Sequence, residues 1–100
     1  MPKALKRYVL SEEADSDLDA IFDYTENEHS FNQAVSYLND LEAVFKKLLI
    51  NPEIGRKRDD IKKGLFSLPE QEHTIFYRFL SNTIKIVRVL HSSRDLPQFF

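Results

Sequence analysis

The hydrophobic pattern of this chain changes period halfway along, and that change limits the fold more than any single motif does. Between residues 12 and 50 the side chains suited to burial recur every three or four positions. They are Ala14, Leu18, Ile21, Phe22 and Thr25, then Ala34, Leu38, Leu41, Phe45 and Leu48. From residue 73 the pattern alternates instead. Ile75, Tyr77 and Phe79 fall on one face of an extended segment, and Thr74, Phe76, Arg78 and Leu80 on the other. Helices first and strands afterwards are the mark of an α+β layer fold.

Local signals set the boundaries. Residues 6–10 read as a short first strand. Ser11 is placed to cap a helix over 12–28, whose first turns hold Glu12, Glu13, Asp15 and Asp17 at the positive end of the helix dipole. Ser30 with Gln33 matches a capping box opening a second helix over 31–50. Asn51-Pro52 ends that helix, because a residue before proline avoids the α region. The link around 28–30 is short enough for an antiparallel helical hairpin. Strands are expected over 64–68, ended by Pro69, over 73–80, and over 84–91 after a turn at 81–83. The order β-α-α-β-β-β predicts one domain over 1–100. In it a helical hairpin packs on one face of a mostly antiparallel sheet, and the other face stays partly open as a docking surface.

Composition excludes several classes of function. The chain has no Cys, so neither a disulfide framework nor a thiolate metal site is possible. Its three His are scattered without ligand spacing, and its two Gly form no phosphate loop. No metal, cofactor or membrane association is expected, and no apolar region follows the first charged residues as in a signal peptide, so the cytoplasm is the expected location. Charge is unevenly spread. Residues 8–45 hold ten acids and no Lys or Arg, whereas residues 46–100 hold eleven basic residues and six acids. A polarised molecule with one acidic and one basic side follows.

Six stretches carry a resemblance: Tyr8-x-Leu10-Ser11-x-x-Ala14, Asp17-Leu18-x-x-Ile21, Asn51-Pro52-x-x-Gly55-Arg56, Gly64-Leu65-x-Ser67, His73-x-Ile75-Phe76-Tyr77-Arg78 and Val87-x-Val89-Leu90-His91-x-x-Arg94-Asp95. In this order and spacing they resemble the RelE/ParE superfamily of toxins, and the last two look like ParE in particular. The resemblance implies a helical hairpin over an antiparallel sheet with the first strand beside the last. It also implies the toxin role in a type II toxin–antitoxin operon. RelE-like members cut mRNA on the ribosome, and ParE-like members inhibit DNA gyrase.

The residues favour the second activity. Metal-free RNA cleavage needs basic groups for the developing phosphorane charge and a donor for the leaving oxygen. The RelE pattern has an Arg three residues before a strand Tyr; with that Tyr at Tyr77, the Arg position holds Thr74. It also has a Tyr six residues after a late Arg; counted from Arg94, that position is Phe100, which carries no proton to transfer. A sequence pI of about 5.9 is low for a protein that must contact many phosphates. The expectation is therefore a toxin with no catalytic residues, inhibiting DNA gyrase by binding and neutralised by a cognate antitoxin, with DNA met only through the antitoxin complex. A ribosome-dependent endonuclease and an inactive antitoxin-binding relative are the alternatives.

The expected partner-contact residues are Arg56, Arg58, Arg78, Arg88, His91, Arg94, Phe99 and Phe100. Arg56 and Arg58 belong to the basic run at 56–63, which reads either as a solvated connector or as an anchor for an acidic patch. Phe76 and Arg78 share a strand face. An open face there has the composition of an interface core, and a helix-covered face makes Phe76 plain core. The Phe99-Phe100 pair either marks a contact or closes the core. His29 is expected in solvent in the interhelix turn, and His73 and His91 as structural hydrogen-bonding groups at strand ends.

Overall fold

The computed structural model describes residues 7–94 and residue 100. The chain runs β1 (Arg7–Leu10), α1 (Glu12–Glu28), α2 (Phe31–Ile50), β2 (Arg56–Lys57), β3 (Phe66–Glu70), β4 (His73–Leu80) and β5 (Thr83–His91). The expected α+β architecture is present, with the helical hairpin on a five-stranded sheet of order β1-β5-β4-β3-β2. Only β1 with β5 is parallel. Both helix starts form as their sequence signals require. Ser11 Oγ accepts from the Ala14 amide and Ser30 Oγ from the Gln33 amide. His29 closes α1 as an exposed cap residue.

The layer between helices and sheet is the main core. Ala14 and Ile21 of α1 and Leu41, Phe45 and Leu48 of α2 meet Ile75, Tyr77, Ile84, Ile86 and Val89 of the sheet. Burying a side chain of this kind contributes about 1.5–3 kcal/mol, so this layer supplies most of the driving force. Tyr77 is fully buried and ends in a polar staple. Its hydroxyl donates to the Pro52 carbonyl oxygen at 2.8 Å and accepts the Gly55 N–H at 2.9 Å. Gly55 is obligatory at that point. A Cβ there would run into the Tyr77 hydroxyl and lie 2.9 Å from the Ser67 carbonyl oxygen.

Three expectations need correction. The strand expected over 64–68 is shifted to Phe66–Glu70, with Pro69 inside it opposite Thr74. Beyond Ser67 no described strand lies on the outer side of β3, where a missing proline N–H breaks no ladder bond. Arg56–Lys57 forms an edge strand on Ser67 and Phe66, where only a charged connector or anchor was expected. The second sheet face is not open at its centre. Leu65, Phe76 and Leu90 form a smaller core there, with Ile61, Val87 and Phe100 packed on it. Phe76 is fully buried on the face away from the helices, so it belongs neither to an exposed interface nor to the helix layer. Of the C-terminal pair, Phe100 packs on Phe76 with ring centroids 4.9 Å apart, whereas Phe99 lies outside the described residues.

Candidate functional site

β5 is longer than β1, and that mismatch creates the site. β1 pairs with β5 only as far as Ile86, so among the described residues the outer edge of β5 from Val87 to His91 has no strand beside it. The start of α1 covers the gap. The Ser11 amide donates to the Ile86 carbonyl oxygen at 2.9 Å, and its hydroxyl donates to the Val87 carbonyl oxygen at 2.7 Å. Six residues further on, Asp17 Oδ2 accepts the Val89 N–H at 2.9 Å. A side chain thus satisfies a backbone donor that no strand can reach.

Asp17 also fixes Arg88. Both carboxylate oxygens accept from the guanidinium, at 2.8 Å from Nε and 2.8 Å from Nη2. The pair is well buried, with side-chain exposures of 13% for Asp17 and 19% for Arg88. This paired hydrogen bond to Asp17 holds the Arg88 pKa above its already high ordinary value. A bulge assists the geometry. Phe76 faces Arg88 while Tyr77 faces Ile86, so Val87 is an extra residue that turns the β5 edge toward α1.

Beyond the pair lies a groove of about 580 Å³ between α1 and the end of β5. Ala20, Ile21 and Val89 give it an apolar floor, Tyr24 stands on one side, and His73, His91, Ser93 and Arg94 gather at the other end. Tyr24 is 62% exposed, an unusual state for a large aromatic. His73 and His91 are opposite one another on β4 and β5, their rings edge-to-face with centroids 5.4 Å apart. His73 Nδ1 lies 2.6 Å from the Tyr37 hydroxyl, which also donates to the Glu70 carbonyl oxygen at 3.3 Å. Burial, reinforced by neighbouring His91, lowers the His73 pKa below the usual imidazole value. Burial likewise pushes Tyr37 up to about 12. His91 is oriented differently. The Ser93 amide donates to its Nδ1 at 3.2 Å, and the Ser93 hydroxyl lies 2.8 Å from the same atom. An amide can only donate, so the neutral His91 ring carries its hydrogen on Nε2.

The residues expected to contact partners fall into two groups. Arg88, His91 and Arg94 come together in this groove. Arg56, Arg58 and Arg78 lie toward the other end of the sheet. There a second groove of about 440 Å³ is lined by Lys57, Lys63 and Arg78 with Glu53, Asp59 and Phe66. Arg58 is held internally: its guanidinium meets both Asp60 oxygens at 3.1 Å and the Ser67 hydroxyl at 3.3 Å. Arg56 is exposed on the edge strand. Asp17, Tyr24, Tyr37 and Ser93 were not singled out as site residues from sequence. A signal for Asp17 existed: it lies three residues after Ala14 and four before Ile21, on the buried stripe, unlike the other acids of α1.

Comparison with known proteins fits this fold and these motifs. Residues 8–96 match the family model of the ParE toxin of type II toxin–antitoxin systems, parDE. Toxin ParE1 of Mycobacterium tuberculosis is 40% identical over 93 residues, covering 92% of this chain and 95% of that protein. Toxin ParE1 of Caulobacter vibrioides is 33% identical over 91 residues, covering 91% and 94%. Among solved structures, the chromosomal ParDE system of P. aeruginosa superimposes with a TM-score of 0.75 at 21% identity, covering 88% of this chain and 96% of that one. The RelBE2 toxin–antitoxin complex of Mycobacterium tuberculosis gives 0.62 at 18% identity, covering 91% and 94%. The chain belongs to the ParE toxin family of type II toxin–antitoxin systems.

Proposed function

We propose that this ParE-family toxin acts by binding DNA gyrase rather than by cutting RNA, and that a cognate antitoxin encoded beside it holds it inactive. One observation carries the non-enzymatic part. The two positions where the RelE pattern places its basic and proton-donating groups hold Thr74, opposite Leu90 on β4, and Phe100, packed against Phe76. Neither side chain can stabilise a phosphorane or protonate a leaving oxygen at neutral pH. An antitoxin partner is supported by the family and by the solved toxin–antitoxin assemblies of the same fold. A cytoplasmic site of action accords with a gyrase target; among the described residues no helix is long and apolar enough to cross a membrane.

The test is a supercoiling assay with purified toxin and gyrase. The expected result is dose-dependent loss of supercoiling with trapped double-strand breaks, reversed by the antitoxin. Unchanged supercoiling at excess toxin rejects gyrase as the target. Codon-phased mRNA cuts in a translating extract reject the non-enzymatic mechanism.

A further inference from the structure

We propose that the uncovered end of the sheet face turned away from the helices, centred on Arg78 and Lys85, docks an acidic segment of a partner polypeptide. The inference adds a second surface to the gyrase reading and does not depend on it.

Strand alternation assembles the patch. Tyr77 and Phe79 flank Arg78, Ile84 and Ile86 flank Lys85, and Tyr8 follows Arg7; all five flanking side chains pack in the helix-side core. Arg7, Arg78 and Lys85 therefore face the other way. The smaller core of Leu65, Phe76 and Leu90 covers only the far part of this face. Near the β4–β5 turn Leu80 stays 47% exposed. Arg78 and Lys85 stand directly opposite one another, and Val9 is the next partner of Lys85 across β5. Two like charges in register repel, so this arrangement costs the fold stability. Nothing on the protein offsets the cost: the side chains of Arg7, Arg78 and Lys85 have no hydrogen bond or ion pair among the described residues. The Arg78 guanidinium extends toward Gly64, where a Cβ would lie 3.5 Å from its Nη2, and so meets the exposed Lys63 beside it.

The surroundings decide which anion fits. β1, β4 and β5 contain no Asp or Glu, and all ten acids between residues 8 and 45 lie on the helices across the sheet. Glu53 and Asp59 lie beyond Arg78, in the groove at the edge of the sheet, where Asp59 accepts the Gly64 N–H at 3.1 Å. They limit the patch on that side. Arg7 is two strands from Arg78 and two residues along, about 12 Å away at backbone level. Three carboxylates at alternate positions of an extended peptide span about 13 Å, a close match. Nucleic acid fits less well. Single strands need aromatic platforms, and the uncovered residues here are Val9, Leu80 and Thr83 beside the cations. A duplex draws its affinity from many phosphate contacts, which so few cations on a chain of net charge −2 do not supply.

The test uses the full chain and fluorescence anisotropy at near-physiological salt. The probes are a labelled peptide with three glutamates at alternate positions, its glutamine version, and a short duplex oligodeoxynucleotide. The glutamate peptide is expected to bind at least about tenfold tighter than the glutamine one. Lys85→Glu sets a carboxylate opposite Arg78, so it should raise the Tm and abolish the preference together, which a merely structural lysine would not do. Lys46→Gln, on the helix side, should leave the preference intact. Equal binding of the two peptides, an undiminished preference in Lys85→Glu, or tighter binding of the duplex overturns the proposal. No gyrase is present in this assay, so failure here and failure of the supercoiling test are separable.

Discussion

Replacing Asp17 by alanine tests the joint on which the groove is built. The substitution removes three hydrogen bonds at once: two charge-assisted bonds to Arg88, each 2.8 Å, and one from the Val89 N–H at 2.9 Å. Arg88 is left as a guanidinium with only 19% of its side chain exposed. Breaking a buried pair by deleting one partner costs about 3–5 kcal/mol. The residual exposure lets water reach part of the pair and trims that figure, while the orphaned Val89 amide adds about 1–3 kcal/mol. The expected loss is about 3 kcal/mol, a large share of the roughly 5–15 kcal/mol typical of a whole domain. For a chain of this length it corresponds to a fall in Tm of roughly 12–24 °C. Urea unfolding followed by circular dichroism measures it, and a cycle with Arg88→Met isolates the pair. A coupling energy above about 1 kcal/mol is expected, because the residues share a network. Additivity within about 0.5 kcal/mol, or an Asp17→Ala variant as stable as the parent, refutes the argument that this carboxylate closes the free edge of β5.

Three further outcomes follow from other parts of the structure. Tyr77→Phe strips the Pro52 carbonyl and the Gly55 amide of their shared partner and should cost about 2 kcal/mol in urea unfolding; Gly55→Ala should cost more, and the double variant less than the sum, because the clashing hydroxyl is gone. Stability should be flat through neutral pH and fall on both sides. His73 has a folded pKa below its ordinary 6.5, so the unfolded chain binds more protons and stability declines as pH drops under that value. Tyr37, raised to about 12, contributes stability below its ordinary 10.0 that is lost as pH climbs through that range. Unfolding titrations of His73→Gln and Tyr37→Phe should each flatten one limb, and an unaltered limb in either variant defeats that assignment. Ser81 holds a φ of 53° in the β4–β5 turn, so Ser81→Gly should raise stability by about 0.5–1 kcal/mol, and a loss in thermal unfolding speaks against strain there.

The elements that could be read from sequence are those whose signal is local. Ser11 and Ser30 cap because a serine before an apolar stripe with a free amide three residues on has one favourable arrangement. Both helices kept their expected ends for that reason. The β2 strand carries no such signal, since Arg56-Lys57 alternates nothing and pairs only because Tyr77 pins the preceding loop at Pro52 and Gly55. Pro69 read as a strand end because edge position is a property of the sheet, not of the residue. The fate of Phe76 was undecidable for a related reason. Alternation fixes that it opposes Tyr77 but not that the 58–65 loop would fold back and bury it with Leu65 and Ile61.

The groove illustrates the same division. Arg88 and His91 were visible as polar groups on the last strand, with Arg94 just after it, but the meaning of Arg88 depends on a partner seventy-one residues away, the distance in sequence from Asp17 to Arg88. Without that link Arg88 reads as a loose surface cation; with it, the guanidinium is part of the wall that seals the end of the sheet. The same bond spends the one partly buried acid of α1 on structure. His73 is biased toward its neutral form and tied to Tyr37, and His91 is set by Ser93. Arg88, His73 and His91 therefore have positions already fixed by neighbours, which lowers the ordering cost of binding a complementary segment. Groups held in this way suit the recognition of a complementary outline, and that is the property the gyrase-binding proposal asks of so small a domain.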